Sequence, residues 1–229
     1  LENVYFSNLR KFDGKKLRKL NLSEIGQIAG RAGRYLNDGS FGITGDCKEI
    51  NAEEIDLLEN HKFEEIRTLF WRNSNLNFNN SLTLIKSLEE RPQREWLRKI
   101  HECEDEKALK YFLRDKNFEN VNFDSQTLSL LWECCQIPDF VKKTYGNHYN
   151  VIESVFKFLS GNKGKITNEY MRLQLMKLDK LEGNVDSISN RIANVRTWSY
   201  VSNKNNWIEN QDYWIEKTKL LEDKLSDRL

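Results

Sequence analysis

Seven of the chain's eleven glycines fall within its first sixty residues: Gly14, Gly26, Gly30, Gly33, Gly39, Gly42 and Gly45. Each glycine in a helix interior costs about 1 kcal/mol relative to alanine, so this stretch cannot be one long helix. It reads as short apolar runs separated by turns, at Val4-Tyr5-Phe6 and from Phe41 to Thr44, with one helix between them. A strand–loop–helix–strand order is that of an α/β unit. From about Asn51 the glycines thin out and apolar residues recur at helical spacing. Residues 1–50 and 51–229 are therefore expected to differ in class, α/β first and mainly α-helical after.

The helical part divides at its stop signals. Helices are expected from Ala52 to Asn60, Leu82 to Glu90 (stopped by Pro92), Arg94 to Leu113, Gln126 to Gln136 (stopped by Pro138), Tyr149 to Leu159, and Asn168 to Glu182 (stopped by Gly183-Asn184). Val185, Ile188, Ile192, Val195 and Ser199 fall on one face of a further helix, and a last one runs from about Asp212 with Trp214, Leu221 and Leu225 on one side. The asparagine-rich stretch from Asn73 to Asn80 reads as a loop. Trp132, Trp198, Trp207 and Trp214 could stack bases, but most of them sit at helical core spacing and read as core.

Charge and cysteine content narrow the function classes. Lys+Arg 36 against Asp+Glu 35 gives a net charge of +1, so a nucleic-acid surface would have to be a local patch. No apolar run is long enough for a membrane span. Cys47, Cys103, Cys134 and Cys135 form no CxxC pair, and His61, His101 and His148 are scattered, so no metal site is expected. Free thiols suit a reducing, cytoplasmic setting. Cys134-Cys135 are expected to be half-buried. The chain begins at Leu1 in a strand-like run and ends at Leu229 inside a helical pattern, from which a piece of a longer protein is expected.

The residues from Asn21 to Leu36 carry the densest chemistry. As a helix, this stretch is capped by Asn21 with Glu24 three residues on, or by the competing Ser23. Ile25, Ile28, Ala29, Ala32 and Leu36 share one face, and Gln27, Arg31 and Arg34 another. Gly26, Gly30 and Gly33 need a reason, and close approach of another backbone or a ligand is the natural one. Two arginines in parallel suit a polyanion, because the planar guanidinium grips two phosphate oxygens. The plainer reading, a tightly packed amphipathic helix with solvated arginines, stands beside it. Upstream, Lys11, Lys15, Lys16, Arg18 and Lys19 form a basic cluster that fits either phosphate contact along RNA or a solvated loop.

Gln27-Ile28-Ala29-Gly30-Arg31-Ala32-Gly33-Arg34 resembles motif VI of superfamily 2 helicases, and this form is similar to that of the mitochondrial-degradosome RNA helicases and their alphaproteobacterial relatives. Lys11-Phe12-Asp13-Gly14, Tyr35 to Asp46, Trp132 to Phe140 and Arg196 to Tyr200 extend the resemblance. It implies the end of a second RecA-like domain over 1–50 and a helical accessory domain over 51–229. It further implies arginine fingers at Arg31 and Arg34, nucleotide contact by Gln27 and Gly30, and RNA contact by Lys11, Lys15, Lys16 and Arg18. ATP and Mg2+ would serve the full-length enzyme, with neither held by this chain alone. RNA, rather than DNA, is the implied substrate, with 3′-to-5′ movement and an exoribonuclease as a possible partner. The best phosphate-loop decoy, Gly161 to Ile166, has Leu159 where the first glycine belongs and Ile166 where Ser or Thr belongs. The rival reading is a non-enzymatic RNA-binding or scaffold module derived from a helicase.

Overall fold

The computed structural model describes residues 1–12, 17–33, 37–45, 47–115, 123–142, 145–162 and 164–229. The fold is mixed α/β, in two compact units, Leu1–Thr68 and Leu69–Leu229.

In the first unit, β1 (Asn3–Phe6) pairs in parallel with β4 (Ser40–Ile43), in a register that sets Asn3 opposite Ser40 and Phe6 opposite Ile43. A parallel pair needs a crossover. Here it contains a hairpin, β2 (Arg10–Phe12) with β3 (Leu17–Lys19), and the helix α1 (Leu22–Ala29). Strand alternation turns Phe6 inward and leaves Tyr5 65% exposed. The core joins Phe6, Leu9, Leu20, Ile25, Ala29 and Leu58, the last from α2 (Ala52–Glu59). The composition shift near residue 50 precedes the division after Thr68 because α2 packs into this first core.

The second unit pairs β5 (Leu69–Trp71) in parallel with β6 (Leu97–Lys99), and adds α3 (Ser81–Glu89), α4 (Glu104–Phe112), α5 (Ser125–Cys135), α6 (Tyr145–Ser160), α7 (Asn168–Leu178), α8 (Val185–Ser202) and α9 (Gln211–Arg228). Side-chain caps start many of these helices: Asn80, Asp124, Thr167 and Asn184 each accept a backbone N–H from three residues ahead. Leu84, Leu109, Leu128, Leu131, Ile152, Met171, Val195 and Leu225 are among its fully buried core residues. Trp132, Trp198, Trp207 and Trp214 all lie in that core, Trp207 from the turn between α8 and α9. The Trp214 indole N–H donates to the Asn168 side chain (2.8 Å). Ile166, in the phosphate-loop decoy, is buried and bridges Ile208. Within that decoy, Lys163 lies outside the described residues. The asparagine stretch is a loop held by the buried Asn73 side chain, which donates to the carbonyls of Asn75 and Ser87 and to Glu90.

Four sequence expectations are corrected. The stretch from Arg94 to Leu113 is not one helix: Leu97–Lys99 pairs with β5 first, and α4 starts only after Cys103. Pairing with a distant strand overrides local periodicity there. The helix from Asn21 stops at Ala29, well short of Leu36. The α7 helix ends at Leu178 on an Asp179 cap, and not at Glu182. Cys134 and Cys135 are fully buried, and burial pushes both thiols well up, which makes them poor nucleophiles.

Candidate active site

The site begins with a reciprocal cap. The Asn21 side chain accepts from the Glu24 N–H (2.8 Å), and the Glu24 carboxylate accepts from the Asn21 N–H (3.0 Å). Ser23 does not compete; its hydroxyl donates to Asn21 Oδ1 (2.8 Å). Ile25 and Ala29 face the core, which turns Gln27 outward to solvent.

Gly30 caps the other end, its N–H donating to the Gly26 carbonyl (2.8 Å). The chain then tightens: Arg31 N–H donates to Ile28 (3.1 Å) and Ala32 N–H to Ala29 (2.9 Å), three-residue bonds that replace the four-residue ladder. Gly33 adopts φ +76°, a left-handed conformation that closes the turn, and its N–H donates to the Leu1 carbonyl (2.8 Å). A Cβ on Gly39 would stand 2.2 Å from Ala32 and Gly33 backbone atoms, so the returning chain passes directly against the turn. Close backbone approach explains Gly33 and Gly39, whereas at Gly26 a Cβ would meet the Phe63 side chain at 2.6 Å.

Arg31 therefore does not sit four residues along a continuous helix from Gln27; it projects from the turn just past the end of α1. It is exposed and has no ion pair with the described residues. Gln27, Gly30 and Arg31 are thus brought together at the C-terminal end of α1. Arg34, with Tyr35, Leu36 and Asp46, lies outside the described residues.

The described members of the basic cluster, Lys11, Arg18 and Lys19, gather at the opposite end of α1. In the β2–β3 hairpin, Arg10 faces Lys19 and Lys11 faces Arg18, like charges directly across the strands, which is unfavourable by itself. Glu24 offsets it. Arg18 binds its carboxylate with both guanidinium nitrogens (2.8 and 2.7 Å), and Lys11 Nζ reaches it at 2.5 Å. The Arg18 hydrogen bonds, then Lys11, hold the Glu24 carboxyl well below the usual range. Lys19 is engaged by Glu54 of α2 (2.9 Å). Two of the four candidate RNA contacts, Lys11 and Arg18, are thus committed to a carboxylate, while Lys15 and Lys16 lie outside the described residues. The guanidinium of Arg10, which pattern reading passed over, donates to the Leu17 carbonyl (3.4 Å) and meets no carboxylate among the described residues. An eight-residue helix spans about 12 Å, so the hairpin cations and Arg31 form two places and not one.

Among the described residues no group of three or more His, Cys, Asp or Glu is placed to hold a metal ion. Among the same residues no helix is long and apolar enough to cross a membrane.

Part of this chain is similar to ATP-dependent RNA helicases. Over 58 residues it is 45% identical to "ATP-dependent RNA helicase SUV3, mitochondrial" of Oryza sativa subsp. japonica, covering 25% of this chain and 10% of that protein. Over 58 residues it is 43% identical to "DExH-box ATP-dependent RNA helicase DExH16, mitochondrial" of Arabidopsis thaliana, with the same coverage. Over 54 residues it is 44% identical to "DExH-box ATP-dependent RNA helicase DExH11" of Arabidopsis thaliana, covering 24% of this chain and 4% of that protein. The matched stretch thus spans a tenth or less of the length of these curated relatives. No known family profile and no solved structure matches the chain.

Proposed function

We propose that this chain is the C-terminal portion of a superfamily 2 ATP-dependent RNA helicase of the mitochondrial-degradosome type, alphaproteobacterial branch. Residues 1–50 complete a second RecA-like domain and residues 51–229 form a helical accessory domain that lines part of the RNA channel. The observation that carries the reading is a local similarity to three RNA helicases together with an exposed Arg31, without an ion pair among the described residues, on a glycine-bordered turn.

The chemistry follows from that turn. A phosphoryl group in transfer spreads charge over its oxygens, and a positioned guanidinium neutralises it. Arg31 fits this role because no carboxylate among the described residues competes for it and Gly30 leaves the adjacent backbone bare. Arg34 acts as the second finger, and Gln27 contacts the nucleotide or orients the attacking water. ATP and Mg2+ are held by the part of the longer protein that supplies the phosphate loop. Movement is 3′-to-5′ on RNA, in RNA turnover beside an exoribonuclease, and four free thiols suit a cytoplasmic location.

In the longer protein, Arg31→Ala or Arg34→Ala is expected to lower RNA-stimulated ATP hydrolysis about 10³-fold. Near-normal turnover in both variants overturns the assignment. The 229-residue chain alone is expected neither to bind ATP tightly nor to hydrolyse it, which equilibrium dialysis with labelled nucleotide checks.

A further inference from the structure

The β5–β6 pair displays a surface that the turn at Arg31 does not use. Phe70 is 78% exposed and Trp96 46% exposed, although large aromatics are ordinarily drawn into a core. Phe70 stands in register with Arg98 across the parallel ladder, so the two side chains leave the sheet on the same side, and both are exposed. The Arg94 guanidinium lies 5.5 Å from the centre of the Trp96 ring, a cation–π contact.

The surrounding charge has one sign. Between Arg91 and Lys99 the sequence holds Arg91, Arg94, Arg98 and Lys99 against the single carboxylate Glu95. Nearby acids are turned elsewhere: Glu89 and Glu102 pair with Lys110, and Glu90 accepts from Asn73. Lys99 is directed to Glu106 at 3.7 Å. Arg91, Arg94 and Arg98 have no ion pair among the described residues, in a chain whose arginines elsewhere repeatedly meet carboxylates at Glu24, Asp105 and Glu222.

We infer that Phe70 and Trp96, flanked by Arg91, Arg94 and Arg98, form a stacking platform for the bases of a single-stranded nucleic acid. Exposed aromatic faces interleaved with unpaired arginines are what unpaired strands require: each base has a π-face to stack, and each phosphate a charge to neutralise. A duplex hides its base faces and gains only the phosphate contacts. An apolar protein partner would meet three unneutralised guanidinium groups on desolvation, which disfavours it. The identity of the strand as RNA rests on the helicase reading above; the platform itself does not.

The test is fluorescence anisotropy of a labelled ten-nucleotide oligouridine titrated with the 229-residue chain, together with a blunt RNA duplex. Phe70→Ala and Trp96→Ala are each expected to weaken oligouridine binding about tenfold, while Phe70→Tyr and Trp96→Phe keep most of it. Arg98→Gln is expected to lower the salt slope by about one ion. Circular dichroism unchanged from wild type separates these effects from misfolding. Oligouridine bound equally by wild type and both alanine variants overturns the platform and leaves the helicase reading standing, since the strand is then held elsewhere. Duplex bound as tightly as single strand also overturns it. So does a concentration-dependent dimer in sedimentation that Phe70→Ala dissolves with RNA affinity unchanged, because the patch is then a contact between copies.

Discussion

The two units solve folding by different means. In the first, six buried apolar residues among those described hold two two-stranded sheets and two helices together, and much of its definition comes from caps, glycine turns and ion pairs around Glu24 and Glu54. In the second, a continuous apolar core runs from Leu84 to Leu225 through all seven of its described helices. The second can also bury a carboxylate: both oxygens of Glu106 lack a hydrogen bond, with Arg72 at 3.4 Å and Lys99 at 3.7 Å as its counter-charges. Stability thus resides mainly in one unit, while the arginine turn resides in the other, where few packing contacts resist rearrangement. The phosphate contact proposed for that turn suits a lightly packed unit, because local openings there cost less than global unfolding.

Core deletions are the harshest way to break this contrast. Leu109→Ala removes a fully buried side chain and is expected to cost the second unit about 2–5 kcal/mol. Ile25→Ala is expected to cost the first unit a similar amount, which its small core cannot absorb, so it unfolds while the second unit persists. Hydrogen exchange resolved by segment checks both; joint loss of protection in both units from either change means that they are not independent. A smaller effect is expected at Gly39→Ala, whose new methyl meets backbone and not a flexible side chain. A loss of about 1–3 kcal/mol confined to the first unit is the expected outcome in urea titration. Asn21→Ala removes one cap and is expected to cost about 1 kcal/mol, read as earlier exchange in α1 alone.

Acid sharpens the comparison most finely. Glu24 has a depressed folded-state pKa, so its contribution is fully present above the ordinary carboxylate value near 4.5 and is lost as pH falls below it. Glu106 is shifted the other way: burial raises it, Lys99 and Arg72 pull it down, Asp105 pushes it up, and Lys110 again lowers it. The folded state then holds that proton more tightly, so stability at this site grows as pH falls toward 4.5 from above. Urea titrations between neutral pH and pH 3 are expected to show Glu24→Gln removing part of the acid loss in the first unit. Glu106→Gln is expected to remove an acid gain in the second. Identical slopes for each variant and wild type would show that neither carboxylate is coupled to folding.

Much of this was legible in residues close in sequence. The capping pair Asn21 with Glu24 announced a helix start that the structure keeps, while the caps at Asp124 and Asn184 emerged only with the structure. Core faces such as Ile188, Ile192 and Val195 followed from period alone, although Val185 at the same spacing is 65% exposed at the helix start. The β5–β6 pair was not legible, since three-residue strands carry almost no pattern and their pairing joins segments separated by a loop and a helix. With it, Phe70 and Trp96 were missed as surface residues; the signal available was the run Arg91 to Lys99, in which arginines interleave with Trp96.

The sequence by itself determined the change from a glycine-punctuated α/β stretch to capped helices, because helix starts and turns depend on hydrogen bonds spanning a few residues. Only the tertiary structure decided where α1 ends. The Asn21 to Leu36 pattern allows a longer helix, but Gly33 turns back to the Leu1 carbonyl and the chain at Gly39 returns against it. That long-range closure carries Arg31 off the helix face and onto an exposed turn, away from the cations that Glu24 gathers at the other end.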